Sequence, residues 1–179
     1  TQMKRGLLIG FVLFLTLAVL TPVPALAAKP VLFNASGTIT AISDGIEKPA
    51  GNSGRWVVFE RDIKGVMYGD IGGQNGTDYT FSYKANVEKA TQAGNLHGTV
   101  NAGGKVLNVE GKSQPFELVG WYAPGIPILK LTLNGNWSFT KGAQGQGSWD
   151  ATVYFIPTPD GHVAAVVGGA FTLTGQWQP

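Results

Sequence analysis

Few side chains in this chain of 179 residues are placed to do chemistry. Glu60-Arg61-Asp62 sets two carboxylates around a cation. Strand alternation puts Glu60 and Asp62 on one face with Trp56 and Val58, and Arg61 on the other. If the carboxylate face turns inward, the two acids lie about 7 Å apart along the strand, where burial could raise one pKa for acid–base work. The plainer reading, which we prefer, is a strand end with its charges in water. His97 and His162 stand outside any spaced ligand motif, and with no Cys a zinc site would need carboxylates to complete it. His97 shares a polar face with Asn95, Thr99 and Asn101, and His162 follows the turn Asp160-Gly161. Asp70, Asn75 and Asp78 bracket a Gly-rich loop whose oxygens suit calcium, but the acidic spacing of an EF-hand is missing and we read an Asn-Gly turn. No Gly-x-Ser-x-Gly elbow is present, and no cofactor or metal is implied.

The remaining candidates are aromatic. Gly-x-Trp occurs at Gly54-Arg55-Trp56, Gly135-Asn136-Trp137, Gly147-Ser148-Trp149 and Gly175-Gln176-Trp177. Leu131-Thr132-Leu133-Asn134-Gly135-Asn136-Trp137 is echoed by Phe171-Thr172-Leu173-Thr174-Gly175-Gln176-Trp177. Residues two apart share a strand face, so each glycine leaves a notch beside an indole. These rings either fill a core or line a pocket. In the pocket reading Trp56, Trp137, Trp149 and Trp177, with Tyr83, take a small apolar or carbohydrate ligand. Asn34, Asn75 and Asn136 open glycosylation acceptor patterns, of which only Asn75 falls on an expected loop tip.

The elements that must position these residues are strands. Tyr79, Phe81, Tyr83, Ala85 and Val87 alternate with polar residues through 78–88, and the same pattern runs through 129–140 and 148–155. Weaker candidates are 33–43, 55–62, 64–71, 95–101, 105–110, 116–122 and 162–177, the last bending at Gly168-Gly169. Between strands sit Asp44-Gly45, Asn75-Gly76, Gly103-Gly104, Lys141-Gly142 and Asp160-Gly161, which suit tight hairpins. The best helical stretch, 87–93, is at most two turns. These features predict an all-β fold, an antiparallel up-and-down barrel of about 8 to 10 strands, with a β-sandwich as the alternative.

Composition agrees. The chain has 26 Gly, no Cys and 13% charged residues, against about 25% charged in an ordinary soluble chain. Residues 1–27 read as a secretory signal helix: Lys4-Arg5, an apolar run from Gly6 to Leu20, then Ala25-Leu26-Ala27. Residues 28–179 form a single all-β domain. Cleavage removes two of 13 basic residues and leaves 11 against 11 acidic ones. A neutral body without a basic cluster is a poor nucleic-acid partner, and weak repulsion favours self-association or contact with the cell envelope. The expected location is secreted or extracytoplasmic, in a periplasm or at a cell surface.

Gly-x-Trp strands in a small antiparallel barrel resemble calycin-type binding proteins, and the barrel class is similar to the dirigent and allene oxide cyclase group. The likeness is one of pattern, covers no contiguous motif and carries over no ligand or site residue. The leading expectation is an exported, non-catalytic β-barrel that binds a small apolar or carbohydrate ligand, or another envelope component. Its alternatives are an outer-membrane barrel with the apolar face toward lipid, a cofactor-free barrel isomerase or cyclase, and a structural protein of the cell surface.

Overall fold

Apolar side chains at every second position can be buried together only if the strands carrying them curl around one interior, and here the curl closes. The computed structural model describes residues 29–158 and 163–178. The leader expected at 1–27, His162 and the Asp160-Gly161 turn lie outside the described residues. Ten strands follow in order: β1 (Val31–Ile42), β2 (Ile46–Ala50), β3 (Trp56–Gly69), β4 (Gly73–Glu88), β5 (Gly94–Ala102), β6 (Lys105–Ser113), β7 (Glu117–Ala123), β8 (Ile126–Lys141), β9 (Gln144–Pro157) and β10 (Val163–Gln178). The ladder order β1-β10-β9-β8-β6-β5-β4-β3 is closed by β3 pairing with β1, and every pairing is antiparallel. This is the expected up-and-down barrel, with eight strands in the ring, and not the sandwich. β2 and β7 are outer strands.

Each outer strand prolongs a ring strand past a bulge. Ile42 faces Ile63 and Ile46 faces Glu60, so residues 43–45 stand opposite only 61 and 62. The Ser43 N–H still donates to the Asp62 carbonyl at 2.9 Å. Ser113 faces Leu133 and Glu117 faces Lys130 in the same way, with the Gln114 N–H donating to the Thr132 carbonyl at 2.9 Å. One surplus residue on one strand defines a bulge. β1 and β6 stand half a ring apart and run in the same direction, so both bulges lie at the same end, here the upper one. Above it the β2–β3 and β7–β8 hairpins rise on opposite sides.

Several local expectations are corrected. Asp44-Gly45 makes a bulge instead of a hairpin, because Gly45 takes a φ of 63° against the Glu60 backbone and the chain keeps its heading. Segments 55–62 and 64–71 are one continuous strand, β3. Asn75-Gly76 lies inside β4, and the reversal falls at 70–72 between Gly69 and Gly73, whose φ values are 86° and 61°. The stretch 87–93 is not helical: Val87 and Glu88 finish β4, and the Gln92 N–H donates to the Glu88 carbonyl at 2.8 Å to close the turn. The bend expected at Gly168-Gly169 coincides with a register shift between Val166 and Gly168.

Inside the barrel, large rings face glycines. The ladder sets Phe33 opposite Gly175, Phe171 opposite Gly37, Tyr79 opposite Gly65, Tyr83 opposite Gly98, Trp149 opposite Gly135, Trp137 opposite Gly147 and Trp177 opposite Gly145. β8 and β9 meet so that their two Gly-x-Trp motifs interlock, each indole covering the other strand's glycine and the glycine beyond it, Gly111 or Gly175. The indole N–H then reaches a carbonyl two strands away: Trp149 Nε1 donates to Glu110 at 3.0 Å and Trp137 Nε1 to Thr174 at 3.2 Å, the latter also to Ser148 on the adjacent strand at 3.0 Å.

A side chain at these glycines would collide with backbone. Gly147→Ala drives its methyl into the Thr174 carbonyl and Gly175 and should cost about 1 to 3 kcal/mol. Gly120→Ala, with open space around it, should change stability by less than about 0.5 kcal/mol. Urea unfolding of the two variants separates them, and equal losses would mean that the notch is not what the core requires.

Candidate functional site

Side-chain size grades the barrel interior from filled to open. At the lower end Phe33, Trp137, Phe139 and Trp177 form a plug, with Phe33 4.6 Å from Trp137 and 5.3 Å from Trp177 between ring centroids. At mid-height a void of about 50 Å³ remains among Ile63, Phe81, Trp149 and Leu173. The upper third opens into a cavity of about 260 Å³. Leu133 and Val153 belong to both linings and form the partition between them. The cavity wall is mainly Phe59, Val87, Leu96, Leu131 and Phe155, and its polar members are Arg61, Tyr83, Lys89, Gln92, Ser113 and Thr158.

The bulges shape this mouth. Ser113 is the last ring residue before the second bulge, and its buried hydroxyl donates to the Gln92 carbonyl at 2.7 Å, tying the β4–β5 turn to the wall. Arg61 sits level with the first bulge, where its Nε donates to the Asp44 carbonyl at 3.1 Å and its guanidinium lies 4.2 Å from the Phe59 ring centre. Tyr83 faces Arg61 across the β3–β4 ladder and stacks on Phe81, 5.2 Å between centroids. Burial pushes the Tyr83 pKa up, against the opposing pull of the Arg61 charge and hydrogen bond, and burial also raises that of Tyr79, whose hydroxyl donates to the Thr38 carbonyl at 3.2 Å.

The residues singled out from the sequence fall into four places. Trp137, Trp149 and Trp177 are buried core rings, Trp137 only 2% exposed. Trp56 stands on the outer wall at 37% exposure. Tyr83 lines the upper cavity. Glu60 and Asp62 point outward, because the inward series of β3 is Val57, Phe59, Arg61, Ile63, Gly65 and Met67. Glu60 pairs with Lys84 at 3.3 Å and Lys48 at 3.5 Å. The hydrogen bond from Lys84 and the two lysine charges hold its carboxyl below the ordinary 4.5. His97 is exposed on β5 opposite Lys84. Asp70 uses its carboxylate to accept the Asn34 N–H at 2.6 Å, while Asn75 and Asp78 are exposed along β4. Asn34 and Asn136 also face outward. Arg61, Lys89, Gln92, Ser113 and Thr158 line the cavity without having stood out in the sequence; for Arg61 a signal was present. The signal was the alternation of Ile63, Gly65 and Met67, which fixes the inward face once β3 is read as one strand.

No family model, curated protein or solved structure matches this chain. The class defined by fold and site is a closed eight-stranded β-barrel with one end plugged and the other hollow, and its function must be argued from the cavity itself.

Trp137→Ala removes the centre of the plug and should cost about 3 to 5 kcal/mol in urea unfolding. A loss below about 1 kcal/mol would contradict the plug. For Glu60, an NMR titration should give a midpoint below 4.5 that moves back up in Lys84→Met. A carboxyl depressed in the folded state favours folding above its unfolded pKa, and that contribution is lost as pH falls through the folded value.

Proposed function

We propose that this chain is an exported, non-catalytic barrel that holds a small apolar ligand in its upper cavity. The supporting observation is the uneven filling of the interior: about 260 Å³ is left at one end while the aromatic plug closes the other. A core under selection for stability alone gains by filling such a space. The lining is mostly aliphatic and aromatic with a few polar groups at one side, as small-molecule sites are.

The other readings draw less support. A sugar site needs exposed ring faces, and three of the four Trp candidates are packed into the core. A lipid-facing barrel needs an apolar outside, whereas the outward series here runs Thr80, Ser82, Lys84 and Asn86 on β4 and Asn95, His97, Thr99 and Asn101 on β5. A cyclase built on Glu60 and Asp62 needs them inside, and they stand on the outer wall.

The test is binding of 1-octanol followed by chemical-shift mapping. Shifts should concentrate at Phe59, Leu131 and Phe155 and leave the Trp137 and Trp177 indole signals in place. Ala85→Trp, which fills the cavity from the β4 wall, should weaken binding at least about tenfold with the far-UV spectrum retained. Shifts confined to the outer wall, or no binding by the unaltered protein, would overturn the proposal.

A further inference from the structure

The two hairpins at the upper end differ in chemistry. β2–β3 is polar: Glu47 and Lys48 are exposed on β2, and the turn Gly51-Asn52-Ser53-Gly54-Arg55 is exposed throughout. β7–β8 carries no charged residue between Glu117 and Lys130, and these two pair with each other at its base, 3.2 Å apart. Above that pair Leu118, Val119, Trp121, Tyr122 and Ile126 are between 40% and 68% exposed, five of the twelve exposed large apolar side chains among the described residues. The fold does not require this apolar surface, because it builds the opposite hairpin without it. Exposed apolar side chains gathered in one place mark a surface that meets a protein or a membrane.

The register decides between them. Leu118 faces Leu129 and Trp121 faces Pro127, on the side that turns to the cavity mouth, whereas Ile126 and Ile128 lie on the other side with Lys130. Val119 and Tyr122 are the surplus residues of two bulges. A protein surface laid on the hairpin covers one side and leaves the other in water. Nor does the free edge of β7 suit a further strand, because two bulges within its seven residues break the row of backbone groups that strand addition needs. A lipid layer, by contrast, surrounds whatever enters it and covers both sides at once. Trp and Tyr are the side chains enriched at the depth of lipid headgroups, and the hairpin brings no charge that must be desolvated. Its unpaired edge keeps it out of the hydrocarbon core, where bare amides find no partner.

We propose that the β7–β8 hairpin docks the barrel on the surface of a lipid bilayer, entering the headgroup region with Trp121 and Tyr122 while the barrel wall stays in water. β8 rises about 14 Å from Lys130 to Ile126 at ~3.4 Å per residue, enough for an interfacial depth of about 5 to 10 Å. The Glu117–Lys130 pair then stands where water begins. Docking of this kind is independent of what the cavity holds.

The chain has no Cys, so one introduced thiol can carry a polarity-sensitive nitrobenzoxadiazole label at a unique place. On the full chain with phosphatidylcholine vesicles, the label at Tyr122→Cys should shift to the blue and be quenched by lipid spin-labelled at the headgroup. The label at Asn52→Cys, on the other hairpin, should do neither. Attachment through the leader expected at 1–27 alone would leave both labels in water and overturn the proposal. In the Tyr122→Cys chain, Leu118→Ser with Trp121→Ser should raise the lipid concentration needed for the shift at least about tenfold, and Ile46→Ser should leave it unchanged. Adding phosphatidylglycerol should change that concentration by less than about threefold, since the hairpin has no charge for an anionic surface to attract. A blue shift that needs no vesicles and grows with protein concentration would assign the hairpin to a second copy of the chain and overturn the proposal. Equal shifts at the two labels, or a requirement for phosphatidylglycerol, would overturn it as well. Should the double serine variant fail to fold, the two labels on the otherwise unaltered chain still decide the matter.

Discussion

An eight-stranded ring encloses a narrow interior, and in this protein glycine makes the room that its large rings need. Wherever a big inward ring needs room, the residue facing it on the next strand tends to have no side chain at all, as with Trp149 and Gly135, Trp137 and Gly147, or Phe171 and Gly37. The rings reach over the bare backbone of Gly111, Gly175 and Gly37 and cover it. The indole N–H groups of Trp137 and Trp149 gain carbonyl acceptors two strands away, so burying them does not leave them unsatisfied. Loss of a glycine and loss of a ring therefore damage the same contact from its two sides.

The arrangement also explains why the interior is graded. The Gly-x-Trp motifs of β8, β9 and β10 all lie in the lower and middle parts of the barrel, and they consume the space there. Above Leu133 and Val153 the inward residues include Phe59, Ala85, Val87, Leu96, Leu131 and Phe155, which leave the space between them unfilled. Two bulges at that same height spread the wall further by lifting β2 and β7 out of the ring. Cavity and plug are thus one consequence of where the large residues fall along the strands.

Much of this was legible in the sequence. The inward face of β4 was read correctly from Tyr79 to Val87, because clean alternation allows only one register. The fold class followed from hairpin-length connections and the want of a long helical period. β3 was harder: Trp56 and Val58 on one face compete with Val57 and Phe59 on the other, and splitting the strand near Ile63 hid the series that decides between them. The fate of the tryptophans depended on register across strands. Only the facing of Gly135 with Trp149 and of Trp137 with Gly147 turns a repeated motif into a packing device, and no single strand reveals its partner's offset. The short β2 went unread because Glu47, Lys48 and Pro49 do not look like a strand. It pairs because it continues one.

The closure of the ring is incomplete in one respect. Among the described residues the ladder between β1 and β10 runs from the lower end only as far as Thr38 and Ala170. Higher up, β1 turns to β3 alone and β10 to β9, with Ile42 and Val163 on either side of the divide and both on the cavity wall. The barrel therefore resembles a sleeve stitched only part of the way along its seam. Sideways parting of these two lips severs no interstrand amide bond, whereas widening the sleeve anywhere else around its circumference must undo several at once. Among the described residues the upper wall is thus held together least at this seam, away from the plug below.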